Sequence, residues 1–144
     1  MGLGQWESKG QMTVELAVAI PVFVALSLVV FNGMLFLENC AAFDRLALDA
    51  IRVYASSPGY GQSAQEGAVL VETCLKEAFP QDYLDVSVVS SGTGMGLVAY
   101  RATLHFTPTL FGRGASSGVF GVSLVCFDHS VQLVVDPYRP GAVI

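Results

Sequence analysis

The chain is 144 residues long, the size of one domain with room for an appendage, which makes a multidomain reading unlikely on length alone. Hydrophobic residues make up 53% of it and charged residues only 13%, too apolar for a disordered chain and unusual for a soluble domain, so a membrane segment is the natural explanation. Seven Lys plus Arg against twelve Asp plus Glu leave a net charge of −5, a poor match to phosphate backbones, and nucleic acid is not expected as a partner.

Met1 to Gly10 is a short polar leader containing Gln5, Glu7, Ser8 and Lys9. The apolar excess then concentrates in one place. No Asp, Glu, Lys or Arg occurs between Glu15 and Glu38, so the 22 residues from Leu16 to Leu37 are uncharged, with Ser27, Asn32 and Gly33 as the few interruptions. As a helix this run is about 33 Å long, against a hydrocarbon layer of about 30 Å. It is too long for the apolar stretch of a secretory signal peptide, and Glu38-Asn39 before Cys40 does not provide the small-residue site of lipoprotein processing. Lys9 and the chain amine are the positive charges before the run, while Glu38 and Asp44 follow it, which places the N-terminus in the cytoplasm and the bulk outside. Glu15 stands at the very start of the run. A carboxylate there costs a few kcal/mol near hydrocarbon and calls for a partner; alternatively it is the polar end of the helix, favourably placed against the helix dipole. Pro21 removes a backbone donor and is expected to kink or loosen the helix, which membrane helices tolerate.

Beyond the run, Cys40, Phe43, Ala47, Ala50, Ile51 and Tyr54 recur at helical spacing while Glu38, Asp44, Arg45, Asp49 and Arg52 fall elsewhere. One helix from Met12 to Ser56, about 65 Å long, is the simplest reading. Ser57-Pro58-Gly59-Tyr60-Gly61 ends it. A second helix is expected from Ala64 to Phe79, with Ala64, Ala68, Val71, Leu75 and Ala78 on its core face. The period then changes to two: Leu84, Val86 and Val88 alternate with polar residues, as do Val98, Tyr100, Ala102, Leu104 and Phe106. These are antiparallel strands joined through Ser91 to Gly96, whose glycines suit a hairpin and lack the Lys-Ser/Thr of a phosphate loop. Thr107 to Gly118 reads as an exposed, mobile connection. Final strands are expected between Val119 and Asp136, with Asp128-His129-Ser130 as a bulge or turn, followed by a tail at Pro137 to Gly141. The fold class is therefore α+β: a long N-terminal helix, transmembrane and then amphipathic, packed on a small head with a second helix and an antiparallel sheet.

Little in the chain suggests catalysis or metal binding. Asp128-His129-Ser130 contains the residue types of a nucleophilic triad, and His105 and His129 with Asp128 could be imagined on a metal, but adjacent strand residues point to opposite faces and no ligand or nucleophile motif is present. His105 reads as a solvated strand residue. No enzyme activity, cofactor, metal or small-molecule substrate is expected. Three cysteines, Cys40, Cys74 and Cys126, leave two readings open: a Cys74–Cys126 bridge in an oxidising compartment with Cys40 near the interface, or three small buried apolar residues.

Gly10-Gln11-Met12-Thr13-Val14-Glu15 followed by the uncharged run resembles the class III signal of type IV pilins, with glycine, glutamate five residues later, and about twenty apolar residues. Within that superfamily, Glu15 to Pro21 and the later stretch Ala41 to Arg52 resemble the TadE-like minor pilins, or pseudopilins, of tight-adherence (Tad/Flp) pilus systems. The resemblance implies cleavage between Gly10 and Gln11 by a prepilin peptidase, pairing of Glu15 with the new amine of a neighbouring subunit, a Pro21 whose local melting helps filament packing, and a pilin-like head. It divides the chain into a leader at 1–10, a transmembrane and assembly helix at 11–37, and an extracytoplasmic head at 38–144. The partners implied are the prepilin peptidase, the major Flp-type pilin, other minor pilins, the inner-membrane assembly platform and membrane lipid, in the service of pilus assembly, adhesion and biofilm formation. Two other readings remain: a pseudopilin of a type II secretion or competence apparatus, and a membrane-anchored extracytoplasmic binding domain in which Gly10 and Glu15 fall at this spacing by accident.

Overall fold

The structure is a computed structural model that describes residues 4–55, 61–110, 113–114 and 125–137. The chain divides into two compact units, Met1–Leu35 and Phe36–Ile144. The first helix, α1 (Gly4–Tyr54), runs through both, and a second, α2 (Ala64–Ala78), follows. The strands are β1 (Leu84–Thr93), β2 (Leu97–Phe106), β3 (Thr109–Leu110), β4 (Arg113–Gly114) and β5 (Phe127–Val135). This is the expected α+β class.

In the first unit, α1 presents apolar side chains to the outside on every face: Val14, Leu16, Val18, Phe23, Val29 and Met34 are all at least three-fifths exposed. Its polar interruptions are satisfied within the helix. Ser27 Oγ donates to the Phe23 carbonyl at 2.8 Å and Asn32 Nδ2 to the Leu28 carbonyl at 2.8 Å, the one-turn-back pattern that lets such residues enter hydrocarbon. The helix begins at Gly4, eight residues before the expected start at Met12. Gln, Glu and Lys in the leader are good helix formers, and extending an existing helix costs far less than nucleating one. It also continues without a break through Pro21.

In the second unit α1 becomes one-sided. Cys40, Phe43, Ala47, Ala50 and Ile51 are buried as expected, but the last place in the stripe belongs to Ala55, four residues after Ile51 and bonded to it, Ala55 N–H to the Ile51 carbonyl at 2.9 Å, rather than to Tyr54. Tyr54 is left 40% exposed. Helix α2 starts at a reciprocal capping box: the Glu66 amide donates to Ser63 Oγ at 3.3 Å and the Ser63 amide to Glu66 Oε2 at 2.8 Å. It buries Gly67, Ala68, Val71 and Leu75, and Phe79 closes its C-terminus against Phe43, ring centroids 5.8 Å apart.

The main sheet has strand order β1-β2-β5, antiparallel throughout, with Leu84 opposite Phe106, Thr93 opposite Leu97, Phe106 opposite Phe127 and Val98 opposite Val135. The strands run three residues further into the Gly-rich segment than the alternation alone indicated, so that Gly94-Met95-Gly96 is the whole connection. It turns so tightly because Met95 and Gly96 take left-handed backbone, φ 77° and 80°. The even-numbered residues of β1 and β2 face the core: Val86, Ala102, Leu104 and Phe106 are at most 1% exposed. Strand β5 continues straight through Asp128-His129-Ser130, where a bulge or turn was expected, because each of these residues finds a partner in β2. The connection after β2 also differs from expectation at Thr109, which is buried in the small β3–β4 pairing. Residues 56–60, 111–112, 115–124 and 138–144, which include the expected helix end, the rest of the connection, Val119 to Leu124 and most of the tail, lie outside the described residues.

Two contacts show how tightly α2 is fitted. A Cβ added at Gly67 would lie 3.2 Å from Tyr100 Oη and 3.9 Å from Ala55 Cα, so glycine is what lets the helix reach this depth. Tyr100 is 3% exposed, its hydroxyl donates to the Ala64 carbonyl at 3.3 Å, and burial pushes its pKa up, so the phenol stays neutral and fixed. Alanine favours a helix over glycine by about 0.8–1 kcal/mol, whereas crowding a packed core costs about 1–3 kcal/mol. Gly67→Ala is therefore expected to lower stability by roughly 1 kcal/mol, and to become neutral or stabilising in a Tyr100→Phe background, where the nearest atom is gone. Thermal unfolding of the full chain in detergent measures both; purely additive costs would contradict the assignment to the hydroxyl.

Glu72 guards the outer edge of β1. Its Oε2 accepts the Val88 amide at 3.3 Å and its Oε1 accepts Lys76 Nζ at 2.7 Å, occupying a strand donor that would otherwise face outward for pairing. The Lys76 hydrogen bond, helped by the Val88 amide against partial burial, holds the Glu72 carboxyl below its usual range, and the same bond raises the Lys76 ammonium. The depressed carboxyl stabilises the fold fully above the ordinary glutamate range, and the contribution disappears as pH falls through the folded value. Glu72→Ala is expected to cost about 1 kcal/mol at neutral pH and to cost less near pH ~3, so the variant's acid limb in thermal unfolding should be flatter than that of the parent chain.

Candidate functional site

The N-terminal segment of α1 carries the residues that the sequence singles out. Gly10 is exposed, and apart from its chain neighbours and the adjoining helix backbone no described atom lies within 4 Å of where a Cβ would stand, so space beside Gly10 is open. That bond lies inside helix α1, and a protease acting there would have to unwind the turn locally. Five residues on, Glu15 is exposed and lines a shallow groove with Val14, Val18, Ala19, Val22 and Phe23, so the carboxylate is set in an otherwise apolar stretch. Pro21 is exposed on the same helix. The helix is long and apolar enough to cross a membrane, and its most apolar window is not buried by any other part of the chain.

The second unit brings together polar residues that sequence order keeps apart. On the outer face of the sheet, His105 Nδ1 lies 2.7 Å from Asp128 Oδ1, its direct cross-strand partner, and His105 Nε2 lies 3.1 Å from Ser87 Oγ, a diagonal neighbour on β1. The triad-type residues that work together are thus Ser87, His105 and Asp128, one from each strand, and not the consecutive Asp128-His129-Ser130. His105 is more than the solvated residue its position suggested. The order of hydrogen bonds matches that of a nucleophilic relay. The two amides flanking Ser87 along β1 are already committed: Val86 N–H donates to Asp85 Oδ1 at 2.9 Å and Val88 N–H to Glu72 Oε2 at 3.3 Å. What the arrangement does do is tie three strands together across one polar face, joined by Arg101 Nη2 donating to Gln132 Oε1 at 3.1 Å.

His129 points the other way, toward α1. Its Nε2 lies 2.6 Å from Asp44 Oδ1, and its ring meets the edge of Phe43 at 6.4 Å, so a polar clasp closes over the apolar stripe of α1. No signal in the sequence could have paired residues 85 positions apart, whereas the His105–Ser87 diagonal was readable once the hairpin centre was fixed.

The cysteines remain apart. All three are free thiols: Cys40 is buried on α1, Cys74 lines a groove between α1 and α2 with Leu46, Asp49 and Tyr54, and Cys126 is exposed, 3.8 Å from Thr107 Oγ1 just ahead of β5. The bridge considered between Cys74 and Cys126 is not formed. Burial, and then the Asp44 carboxylate, pushes the Cys40 thiol up, so it behaves as a small apolar core residue. Among the described residues no group of three or more His, Cys, Asp or Glu is placed to hold a metal ion.

No protein-family model, curated protein or solved structure matches this chain.

Proposed function

We propose that the chain is a TadE-like minor pilin of a Tad/Flp pilus, held in the cytoplasmic membrane with its N-terminus inside and released from its leader by a prepilin peptidase between Gly10 and Gln11. The observation that carries this reading is the spacing of Gly10, Glu15 and Pro21 at the head of an uncharged run of 22 residues, with Glu15 exposed among apolar side chains of α1. On insertion scales a charge costs about 2.5–3.5 kcal/mol at the centre of a membrane helix, and less, though still unfavourable, at the end of the run where Glu15 stands. A neighbouring subunit's free amine at Gln11 would offset much of that cost in a low dielectric, so Glu15 favours the assembled state over the solitary one. The leader, with Glu7 and Lys9, would hold the helix end at the cytoplasmic face until it is removed. The second unit, with α2 and an antiparallel sheet against the continuation of α1, is an architecture suited to a filament subunit whose apolar helix is shared with its neighbours. The chain is then a substrate and building block, with the major pilin, other minor pilins and the assembly platform as partners.

Intact mass and N-terminal sequencing of the protein made with and without its prepilin peptidase test the processing. A peptidase-dependent start at Gln11 is expected, and an unprocessed N-terminus in both samples contradicts it. Glu15→Leu should be cleaved as the parent is but fail to enter filaments; normal incorporation would favour a simple membrane-anchored domain.

A further inference from the structure

The end of the second unit from which β5 departs is apolar in a way that its own core does not require. Phe36 and Leu37 are the last two residues of the uncharged run. The Phe36 ring packs on Phe106 at 5.5 Å and on Phe127 at 5.6 Å, and Phe106 in turn meets Tyr83 at 5.9 Å. Phe106 is fully buried, but Phe127 remains 48% exposed, Leu37 67% and Val125 72%. Leu37 follows Phe36 in the chain and Val125 stands two residues before Phe127, so three exposed apolar side chains are tied to the Phe36–Phe127 contact where the uncharged run ends, an apolar rim.

We propose that this rim, Val125 and Phe127 with Leu37, is seated in the headgroup and upper acyl layer of the bilayer, so that the second unit rests in the lipid surface as well as hanging from its helix. The inference rests on the reading of Leu16 to Leu37 as a membrane span. If that run fills the hydrocarbon, Phe36 lies at its boundary, and a ring stacked on Phe36 lies at the same depth. Half-exposed aromatic and aliphatic side chains at that depth lose contact with water without losing any contact within the protein, and Tyr83, with an apolar ring and a polar tip, is a residue type favoured there. The attraction is apolar and not electrostatic: the chain carries a net charge of −5, and Glu38 and Asp128 flank the rim in sequence. Lipids without net charge should therefore suffice. The contact would fix the height and tilt of the sheet above the membrane and would have to be given up when the subunit leaves the bilayer.

The test uses the full chain in phosphatidylcholine vesicles containing lipids brominated either near the ester end of the acyl chain or near its midpoint. Trp6→Phe removes the one native tryptophan, and single tryptophans are then placed by Phe127→Trp, by Val30→Trp inside the uncharged run, and by Val53→Trp, which lies about 25 Å further along α1 than Phe36 at 1.5 Å per residue. The proposal expects the tryptophan at position 127 to lose most of its emission to the ester-end bromines and little to the midpoint ones, the one at 30 to be quenched by the midpoint bromines, and the one at 53 to be untouched. If position 30 is quenched while 127 behaves like 53, the rim stands in water and the proposal is overturned with the membrane span intact. If neither 30 nor 127 is quenched, the span itself fails and the proposal falls with it. A tryptophan at 127 that is shifted to shorter wavelength only at high protein-to-lipid ratio, without quenching, would assign the rim to a second copy of the chain and overturn the lipid contact.

Discussion

The 22 residues from Leu16 to Leu37 are almost all apolar, long enough as a helix to cross a membrane, and a segment in hydrocarbon can satisfy its own backbone only as a helix. This constraint organises the rest of the chain. Along α1 the same backbone meets two different demands: up to Leu37 almost every side chain is apolar and outward facing, and from Cys40 onward one apolar stripe is buried while charged residues occupy much of the rest. Of the side chains that interrupt the first part, Ser27 and Asn32 each return a donor to a carbonyl of the preceding turn, which lowers the cost of placing them among apolar neighbours. Glu15 is different in kind, a charged group at the start of the run, and it is the residue on which the proposed assembly role rests.

The second unit is built on the far stretch of that helix. Phe43, Ala47 and Ile51, all at 0% exposure, supply one layer, and the even-numbered residues of β1 and β2 supply the other, with Phe79 and Gly67 setting how closely α2 can approach. Burying a side chain such as Phe or Ile contributes about 1.5–3 kcal/mol, so these few residues carry much of the stability of a small unit. The polar contacts have a different task. The Asp44–His129 clasp and the Ser87–His105–Asp128 relay each join elements far apart in sequence, and Glu72 blocks an edge of the sheet that could otherwise recruit another strand. They fix register and limit partners more than they add stability.

Much of this was legible in the residues. The uncharged run, the stripe from Cys40 to Ile51, the face of α2 carrying Ala68, Val71 and Leu75, and the period-two runs of β1 and β2 each leave a local pattern, because each depends on neighbours a few positions away. What escaped was non-local. The continuity of β5 through Asp128-His129-Ser130 depends on its pairing with β2, and turn-forming residue types there suggested the opposite. Tyr54 was misplaced because the stripe continues from Ile51 by four residues to Ala55 and not by three to Tyr54, and Thr109 because a two-residue pairing buries what composition marks as exposed. The proposed assembly motif stands apart from these: Gly10 and Glu15 were found by spacing alone, and the fold places them on one continuous helix, with Glu15 in a shallow apolar groove.

The central claim is that Leu16 to Leu37 crosses the cytoplasmic membrane and leaves the sheet-bearing unit outside. The exposed Cys126 thiol, ahead of β5, offers a direct reporter once Cys40→Ala and Cys74→Ala remove the other two. A membrane-impermeant maleimide applied to spheroplasts is the measurement. The account predicts full labelling of Cys126 before lysis, with no gain when the membrane is broken; labelling only after lysis would place the sheet in the cytoplasm and contradict it.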